Sequence, residues 1–377
     1  MTLLSIIGED ISRIIPVLHA YKDQIKHHIL LCDDDPSNHD RAKVLQQGMQ
    51  KFSAEHSLDW YTKIITIDED SANDINEVVK QQFDNEGELW LNATDGYPAI
   101  IILLSDLVRK KGGKVLSYDH FDNDLHIIEP DGSMETKSLS TKMDLDSYMM
   151  LLNYKMKKKN KNDLTPRKQY IMNLYKNEKK FVKVRKALLN LYHGNINGYS
   201  FSGYFDVLTD LRALNVIGQE NRITSKTKQM LEGDLLEEYL FWLCDALKFD
   251  DIALSAEIDF DDEKREASEY RRVTNEFDIL MIHNNRICTV ECKFKNNLRG
   301  IDMVYKYDAI IDYFGNTSKA IIANISNKYK NDYMGMKQSD NFSYSALRRA
   351  RMSGVSVYHE SEVDVIKFQN LVQNFFF

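Results

Sequence analysis

The sequence predicts an α/β protein in three parts. Three observations carry that prediction: strands alternating with amphipathic helices through the first third, a lysine-rich helical stretch in the middle, and a charged β-hairpin in the last third. At 377 residues, two to three domains are expected, because domains run to roughly 100–200 residues. The boundaries are placed at 1–141, 142–230 and 231–377, where the charge balance changes. The first part carries 13 Lys and Arg against 25 Asp and Glu, the second 18 against 7, and the third 18 against 25. The chain as a whole has net charge −8. The middle part is thus the basic one, suited either to polyanions or to a solvated surface facing acidic neighbours.

Apolar content is ordinary for a globular chain, and no apolar run reaches the ~18 residues that a membrane span takes. The opening MTLLSIIGEDIS lacks the basic start and small-residue cleavage site of a signal peptide. Cys32, Cys244, Cys288 and Cys292 show no CxxC spacing and sit in apolar surroundings, which reads as reduced thiols. A soluble cytoplasmic protein without a membrane partner is expected.

In the first third, strands are read at 3–7, 29–32, 63–67, 89–92 and 114–118, with helices at 11–21, after the turn-rich 33–38 through about 52, at 72–81 and at 98–110. This alternation predicts a mostly parallel, doubly wound sheet, whose ligands lie at the carboxyl ends of strands. Two strand exits are equipped for that. One is Gly8-Glu9-Asp10-Ile11-Ser12-Arg13 and the other Asn92-Ala93-Thr94-Asp95-Gly96-Tyr97-Pro98. Both offer small polar groups and backbone N–H donors at a helix start, suited to hydroxyls or phosphates. Helix capping by Ser12 and Thr94 is the plainer alternative. Neither exit contains GxGxxG, which argues against an ordinary NAD site. A hairpin around Pro130-Asp131-Gly132 closes this part.

Residues 155–162, with Lys155, Lys157, Lys158 and Lys159 before Asn160, read as an exposed helix end or linker. Helical periodicity then dominates from 166 to 222, and residues 205–223 have the size of a small winged-helix element. Its expected role is to join domains rather than to bind DNA.

The informative stretch is 233–294. A helix is read as opening at Gly233, with Leu236, Leu240, Leu243 and Leu247 as its apolar stripe. Two strands come next, separated by the turn Asn284-Asn285, where positive φ is tolerated. In that register Asp278 faces Glu291, and Glu276 faces Lys293, all on one face. Phe277, Ile279, Met281, Cys288, Val290, Cys292 and Phe294 form the opposite, apolar face. Opposed carboxylates destabilise a sheet, and burial adds to the cost. A divalent cation relieves the conflict by taking oxygen ligands from Asp278 and Glu291, with Lys293 near the reacting phosphate. The competing reading is a solvated hairpin with one Glu276–Lys293 pair. His283, at the far end, is expected at the surface, and Phe375-Phe376-Phe377 in packing or association.

Glu237, Asp278 and Glu291-Cys292-Lys293 resemble the PD-(D/E)xK nuclease superfamily. Together with Gly233-Asp234-Leu235-Leu236-Glu237, Asn275-Glu276-Phe277-Asp278, Tyr305-Lys306-Tyr307-Asp308 and Phe314-Gly315, the chain resembles the CRISPR ancillary nucleases that join a CARF sensor to a restriction-endonuclease-like domain. The resemblance implies a Rossmann-like CARF domain, a winged-helix-like connector and a C-terminal nuclease. It implies a homodimer activated by cyclic tetra-adenylate, ahead of cyclic hexa-adenylate, cutting DNA or RNA with Mg²⁺ or Mn²⁺ in type III CRISPR antiviral defence. Carried over, Asp278 and Glu291 are metal ligands, Lys293 the catalytic lysine and Glu237 the helix acid. Gly8, Ser12, Asn92, Thr94, Asp95, Gly96 and Tyr97 are the ligand-binding set. Arg271 and Arg272, with Lys264 and Arg265 nearby, are expected along the substrate path, with Tyr305 and Lys306 on a flanking helix. The chain departs from the family's pattern in Leu235, where Trp is common, and in Asp95, where the second sensor motif usually has Gly. Asp95 places a negative charge where a polyanionic ring is expected. Two other readings are a CARF-type transcriptional regulator, which needs no acids at 278 and 291, and a stand-alone nuclease without cyclic nucleotide control.

Overall fold

The computed structural model describes residues 1–68, 71, 73, 75–77, 80–81, 88–159, 161–194, 200–218, 223–260, 274–294, 299–326, 330–331, 337–338 and 342–376. The first sheet holds β1 (Thr2–Ile6), β2 (His27–Cys32), β3 (Tyr61–Thr66), β4 (Leu89–Asn92), β5 (Lys114–Asp119), β6 (Asp124–Ile128) and β7 (Met134–Ser138) in the order 3-2-1-4-5-6-7. β1 to β5 run parallel, and β6 and β7 add an antiparallel edge. β1 and β4 are mostly apolar and buried throughout, as expected of strands covered on both faces. Helices α1 (Ile15–Ala20), α2 (Pro36–Glu55) and α3 (Pro98–Lys110) are the crossovers. Asp35 caps α2 by accepting from Ser37 N at 2.7 Å, with Pro36 at the first helical position. The helix expected over 72–81 falls partly outside the described residues. Strand order reverses between β1 and β4, so the two exits singled out in the sequence lie side by side at the switch point.

After α4 (Leu145–Leu151) the lysine-rich stretch corrects one expectation. Lys155–Lys157 is a strand, β8, and not a helix end or linker. It pairs antiparallel with β9 (Asp251–Asp259) and so forms the edge of the second sheet. That sheet continues through β10 (Thr274–His283), β11 (Arg286–Lys293), β12 (Lys319–Ile325) and, past the short pair β13 (Lys330–Asn331) and β14 (Lys337–Gln338), β15 (Val355–Glu360). β8 to β11 are antiparallel, whereas β11, β12 and β15 are parallel. Between β8 and β9 the described residues are helical: α5 (Lys161–Leu164), α6 (Lys168–Lys176), α7 (Glu178–Tyr192), α8 (Phe205–Ala213), α9 (Ser225–Gln229) and α10 (Leu235–Asp245).

A second correction concerns the start of α10. The helix does not open at Gly233. Its path begins upstream, at the Thr224–Thr227 capping box, and runs through a π segment, Met230–Asp234, directly into α10. A π turn inserts one residue per turn and rotates the helix beyond it, which is how such segments re-aim side chains. The layer is completed by α11 (Gly300–Ile311), α12 (Tyr344–Met352) and α13 (Val365–Phe376).

One buried cluster runs without a break from Leu3, Leu30 and Tyr148 on the first sheet's side to Phe277, Leu280, Tyr307 and Phe314 on the second's. Hydrogen bonds follow the same seam. Tyr148 Oη donates to Phe314 O at 2.8 Å, and Asn285 Nδ2 donates to Tyr118 Oη at 3.1 Å. Among the described residues no helix is long and apolar enough to cross a membrane. The four cysteines are buried and unbonded.

Candidate active site

The Asn284-Asn285 turn forms as expected, with φ of 49° and 59°. Pairing in the predicted register holds from His283–Arg286 to Ile279–Val290 and ends there, one step short of Asp278 and Glu291. Two features account for the change. Asp278 Oδ2 accepts from Cys292 N at 2.7 Å, so its side chain stands in the place of a ladder partner. On the other side, β9 pairs with β10 at Ala256–Phe277 and at Leu254–Ile279, but the intervening Ser255 has φ of 51°.

That left-handed residue breaks the alternation of faces in both strands. Phe277 packs with Leu280 and Ile282 in one core, and Ala256 with Ala253, whereas Ile279, Met281 and Leu254 belong to the other. The single apolar face expected from period 2 is therefore corrected at Phe277, whose ring lies 5.3 Å from Phe314. Asp278 sits at the defect.

Lys293 Nζ lies 2.5 Å from Glu291 Oε1 and 3.6 Å from Asp278 Oδ2. The Glu276–Lys293 pairing is not formed; Glu276 faces Glu257 on β9 and is exposed. Tyr307 Oη on α11 donates to Glu291 Oε2. Burial pushes the Asp278 carboxyl up to about 6, helped by the Glu291 charge, while Lys293 and Cys292 N–H oppose the shift. Burial also raises Glu237, on α10, to about 8, with Asp278 and then Asp234 adding to it. For Lys293 burial alone lowers the pKa, but Asp278 and Glu291 outweigh it and hold the ammonium charged. The Tyr307 phenol is raised, first by burial and then by Glu291. Repelling acids thus share one end of the hairpin with a single lysine in contact. Their oxygen donors suit a hard divalent cation, although among the described residues no three His, Cys, Asp or Glu side chains form a ready metal cluster.

The neighbouring acid Glu238 has a structural role. It receives Arg167 Nε and Nη2 at 2.9–3.0 Å and ties α10 to the segment before α6. Tyr307 is the member of the cluster that the sequence does not single out: within Tyr305-Lys306-Tyr307-Asp308 the expected contacts are Tyr305 and Lys306. Helical spacing explains the outcome. Tyr305 is exposed under the Arg349 guanidinium, Lys306 Nζ lies 5.3 Å over the Tyr307 ring, and Tyr307 points inward. Lys264, Arg265, Arg271 and Arg272 lie outside the described residues. His283 is not a surface residue; it is largely buried beside Asp250 at 3.4 Å. Phe375 and Phe376 pack, the latter against Phe249 and His283, while Phe377 is outside the described residues.

At the switch point of the first sheet, Asp95 turns inward. Its Oδ2 accepts from Gly8 N at 3.0 Å and Asp10 N at 3.3 Å, and Arg13 lies 3.9 Å from Oδ1. A Cβ at Gly8 would meet Gly96 N at 2.8 Å, so only glycine allows the two exits to close together. The Asp95 charge is therefore satisfied inside the chain, and burial raises its pKa. Asn92 and Thr94 are buried and bonded to each other, and Thr94 Oγ1 accepts from Tyr118 N at 3.1 Å. Ser12 is buried against Asp10, with Oγ 2.5 Å from Oδ1. Gly96 is partly exposed, and Tyr97 exposed with its hydroxyl 3.3 Å from Asn38 Nδ2. Asp10 Oδ2 in turn accepts from Asn316 N at 2.8 Å, which links this exit to the loop after α11.

Residues 224–368 match the family model of the Card1-like endonuclease domain, which meets the expectation of a nuclease domain at this end of the chain. No curated protein sequence matches the chain. Among solved structures, protein VC1899 from Vibrio cholerae aligns over 100% of this chain and 97% of its own, with a TM-score of 0.74 and 15% identity. Can2 from Sulfobacillus thermosulfidooxidans, solved in complex with cyclic tetra-adenylate, aligns over 100% and 99%, with a TM-score of 0.69 and 14% identity. At these identities the likeness is one of fold: the two-sheet α/β arrangement is shared from end to end.

Proposed function

We propose that the chain, a Card1-like endonuclease domain joined to a doubly wound α/β domain, is a metal-dependent nuclease switched on by a cyclic oligoadenylate. The observation that carries the reading is the buried acid cluster of Asp278, Glu291 and Glu237 around Lys293, inside the segment matched to an endonuclease family. Asp278 and Glu291 would hold Mg²⁺ or Mn²⁺, which polarises a phosphodiester and lowers the pKa of bound water. Lys293 places a fixed positive charge beside the reacting phosphate, and Tyr307 orients Glu291 through its hydrogen bond. Cys292 N–H aims Asp278. Glu237 supplies a third acid at the same end, and its raised pKa keeps it a proton donor near neutral pH.

The sensor reading divides the chain into a CARF-like domain at 1–141, a connector at 142–230 and a nuclease at 231–377. Its support is the switch-point placement of the two exits and a neighbour of the same fold that carries cyclic tetra-adenylate. Two chains would close around the ring, with Gly96 and Tyr97 the most accessible of the proposed contacts. Gating has a physical route, since Asp10 touches Asn316 after α11, the helix that carries Tyr307. DNA and single-stranded RNA are both candidate substrates in a type III CRISPR response.

The test is cleavage of plasmid, single-stranded DNA and RNA with Mn²⁺ or Mg²⁺, with and without cyclic tetra- and hexa-adenylate. Cleavage that needs both a metal and one ring is expected. Full activity without a ring removes the sensor, and no cleavage under any condition removes the nuclease.

A further inference from the structure

The basic connector supplies the edge of the nuclease sheet. β8 closes the sheet's edge, and immediately after it Lys159 N donates to Leu254 O at 3.3 Å. Leu254 precedes Ser255, the left-handed residue beside Asp278, so Lys159 is anchored one residue from the defect on which the acid cluster is built. Its charge reaches Glu237 and opposes protonation of that acid.

Lys159 lines a cavity of 330 Å³ with Arg167, Asn215, Lys226, Asp234 and Glu238. Most cations of this neighbourhood are committed. Arg167 grips Glu238, Lys228 pairs with Glu232 at 3.6 Å, and Lys161 and Lys168 share Asp245. Lys155 and Lys157 stand opposite Asp259 and Glu257 across the strand pair. Lys159 and Lys226 are both exposed, and among the described residues neither forms an ion pair. Two uncommitted ammonium groups therefore border a cleft one wall of which, Asp234, belongs to the π segment leading to Glu237. Asp234 repels an anion from its own side of the cleft, which leaves the side of the two lysines as the favourable position.

We propose that Lys159 and Lys226 form a subsite for backbone phosphates of the nucleic-acid substrate, so that the strand runs across connector and nuclease together. This rests on the nuclease reading above. The contact is sequence-independent, since phosphate carries no base identity. It supplies the positive charge that an acidic nuclease domain needs to hold a polyanion.

The experiment compares the full-length protein with the Lys159→Ala/Lys226→Ala and Lys159→Arg/Lys226→Arg variants. Cleavage of labelled single-stranded DNA is followed with Mn²⁺ and cyclic tetra-adenylate over a salt series. The alanine pair is expected to raise KM on the order of tenfold at unchanged kcat. Its slope of log(kcat/KM) against log[salt] is expected to be shallower by about 1.4, from about 0.7 per phosphate contact. The arginine pair restores both, which a merely structural role does not predict. Unchanged KM and salt slope in a folded alanine pair overturn the subsite. If the wild type cuts nothing, the nuclease reading fails separately. Fluorescence anisotropy of the same DNA on wild type and alanine pair, without metal, then decides the subsite: weaker binding supports it, and equal binding overturns it.

Discussion

Lys293 holds two acids that would otherwise repel each other at the end of a hairpin, and each of these groups is fixed by a neighbour. Removing Glu291 takes away the partner of both Lys293 and Tyr307, and removing Lys293 leaves buried carboxylates without their contacting cation. Glu291→Ala and Lys293→Ala are each expected to lower cleavage by roughly 10²–10³-fold, measured as kcat with activator and Mn²⁺; undiminished cutting by either sinks the site assignment. A second residue-scale effect is independent of the site. His28 is fully buried, bonded to Ser5 Oγ at 2.8 Å, and burial lowers its pKa to about 3. In the unfolded chain it titrates near about 6.5, so the unfolded state takes up the proton first. The stability contributed by neutral His28 is complete above that value and is lost as pH falls toward 3. Urea midpoints measured from pH 7 down to pH 4 should fall more steeply for wild type than for His28→Asn; parallel curves would clear His28 of the effect.

At the scale of elements, the decisive features are a kink and a latch. The kink is Ser255 against Asp278, where both strands change faces. A β-branched residue resists φ near +50°, so Ser255→Val should cost about 1–3 kcal/mol in denaturant titration and reduce cleavage. Ser255→Gly, which accepts that φ, should retain both. The alternation of apolar residues along β9 and β10 is legible in the sequence, but a serine announces no positive φ, and period 2 alone puts Phe277 in the wrong layer. The latch is Gly315, at φ of 97°, where a Cβ would overlap Ser12 Oγ and meet Asp10 Oδ1 at 2.9 Å. Gly315→Ala must separate the first exit from the loop after α11. It is expected to destabilise by about 1–3 kcal/mol and to reduce the ratio of activated to basal cleavage; an unchanged ratio would show that the signal takes another path. The Phe314-Gly315 pair is visible in the sequence, but its partners near the start of the chain are not.

For the whole molecule, the three parts expected from length and charge do not each keep a private core. Phe277, Tyr307 and Phe314 pack in one cluster with Leu3, Tyr148 and Leu30, and the second sheet takes its edge strand from the connector. Multidomain chains often unfold in steps. Here a shared core predicts one calorimetric transition, with the ratio of van't Hoff to calorimetric enthalpy near one. Two well-separated transitions would contradict that coupling. The basic middle segment also acquires a purpose at this scale, because its lysines meet acids of the third part, as in Lys158 with Asp251 and Lys161 with Asp245.

The sequence by itself determined what periodicity and turn chemistry can encode: the mostly parallel, doubly wound sheet implied by alternating strands and helices, the two polar strand exits, and the Asn-Asn turn that sets the register of β10 and β11. It also pointed to Asp278, Glu291 and Lys293 as one group at the end of that hairpin, although the register itself stops one step short of them. The tertiary structure alone decided which groups complete the site and where each charge finds its partner. Tyr307, Ser255, the inward turn of Asp95 and the joining of Lys155–Lys157 to a distant sheet depend on contacts between segments far apart in the chain. Local pattern constrains φ, face and cap within a few residues, whereas burial and hydrogen-bond partners are settled only when those segments compete for the same space.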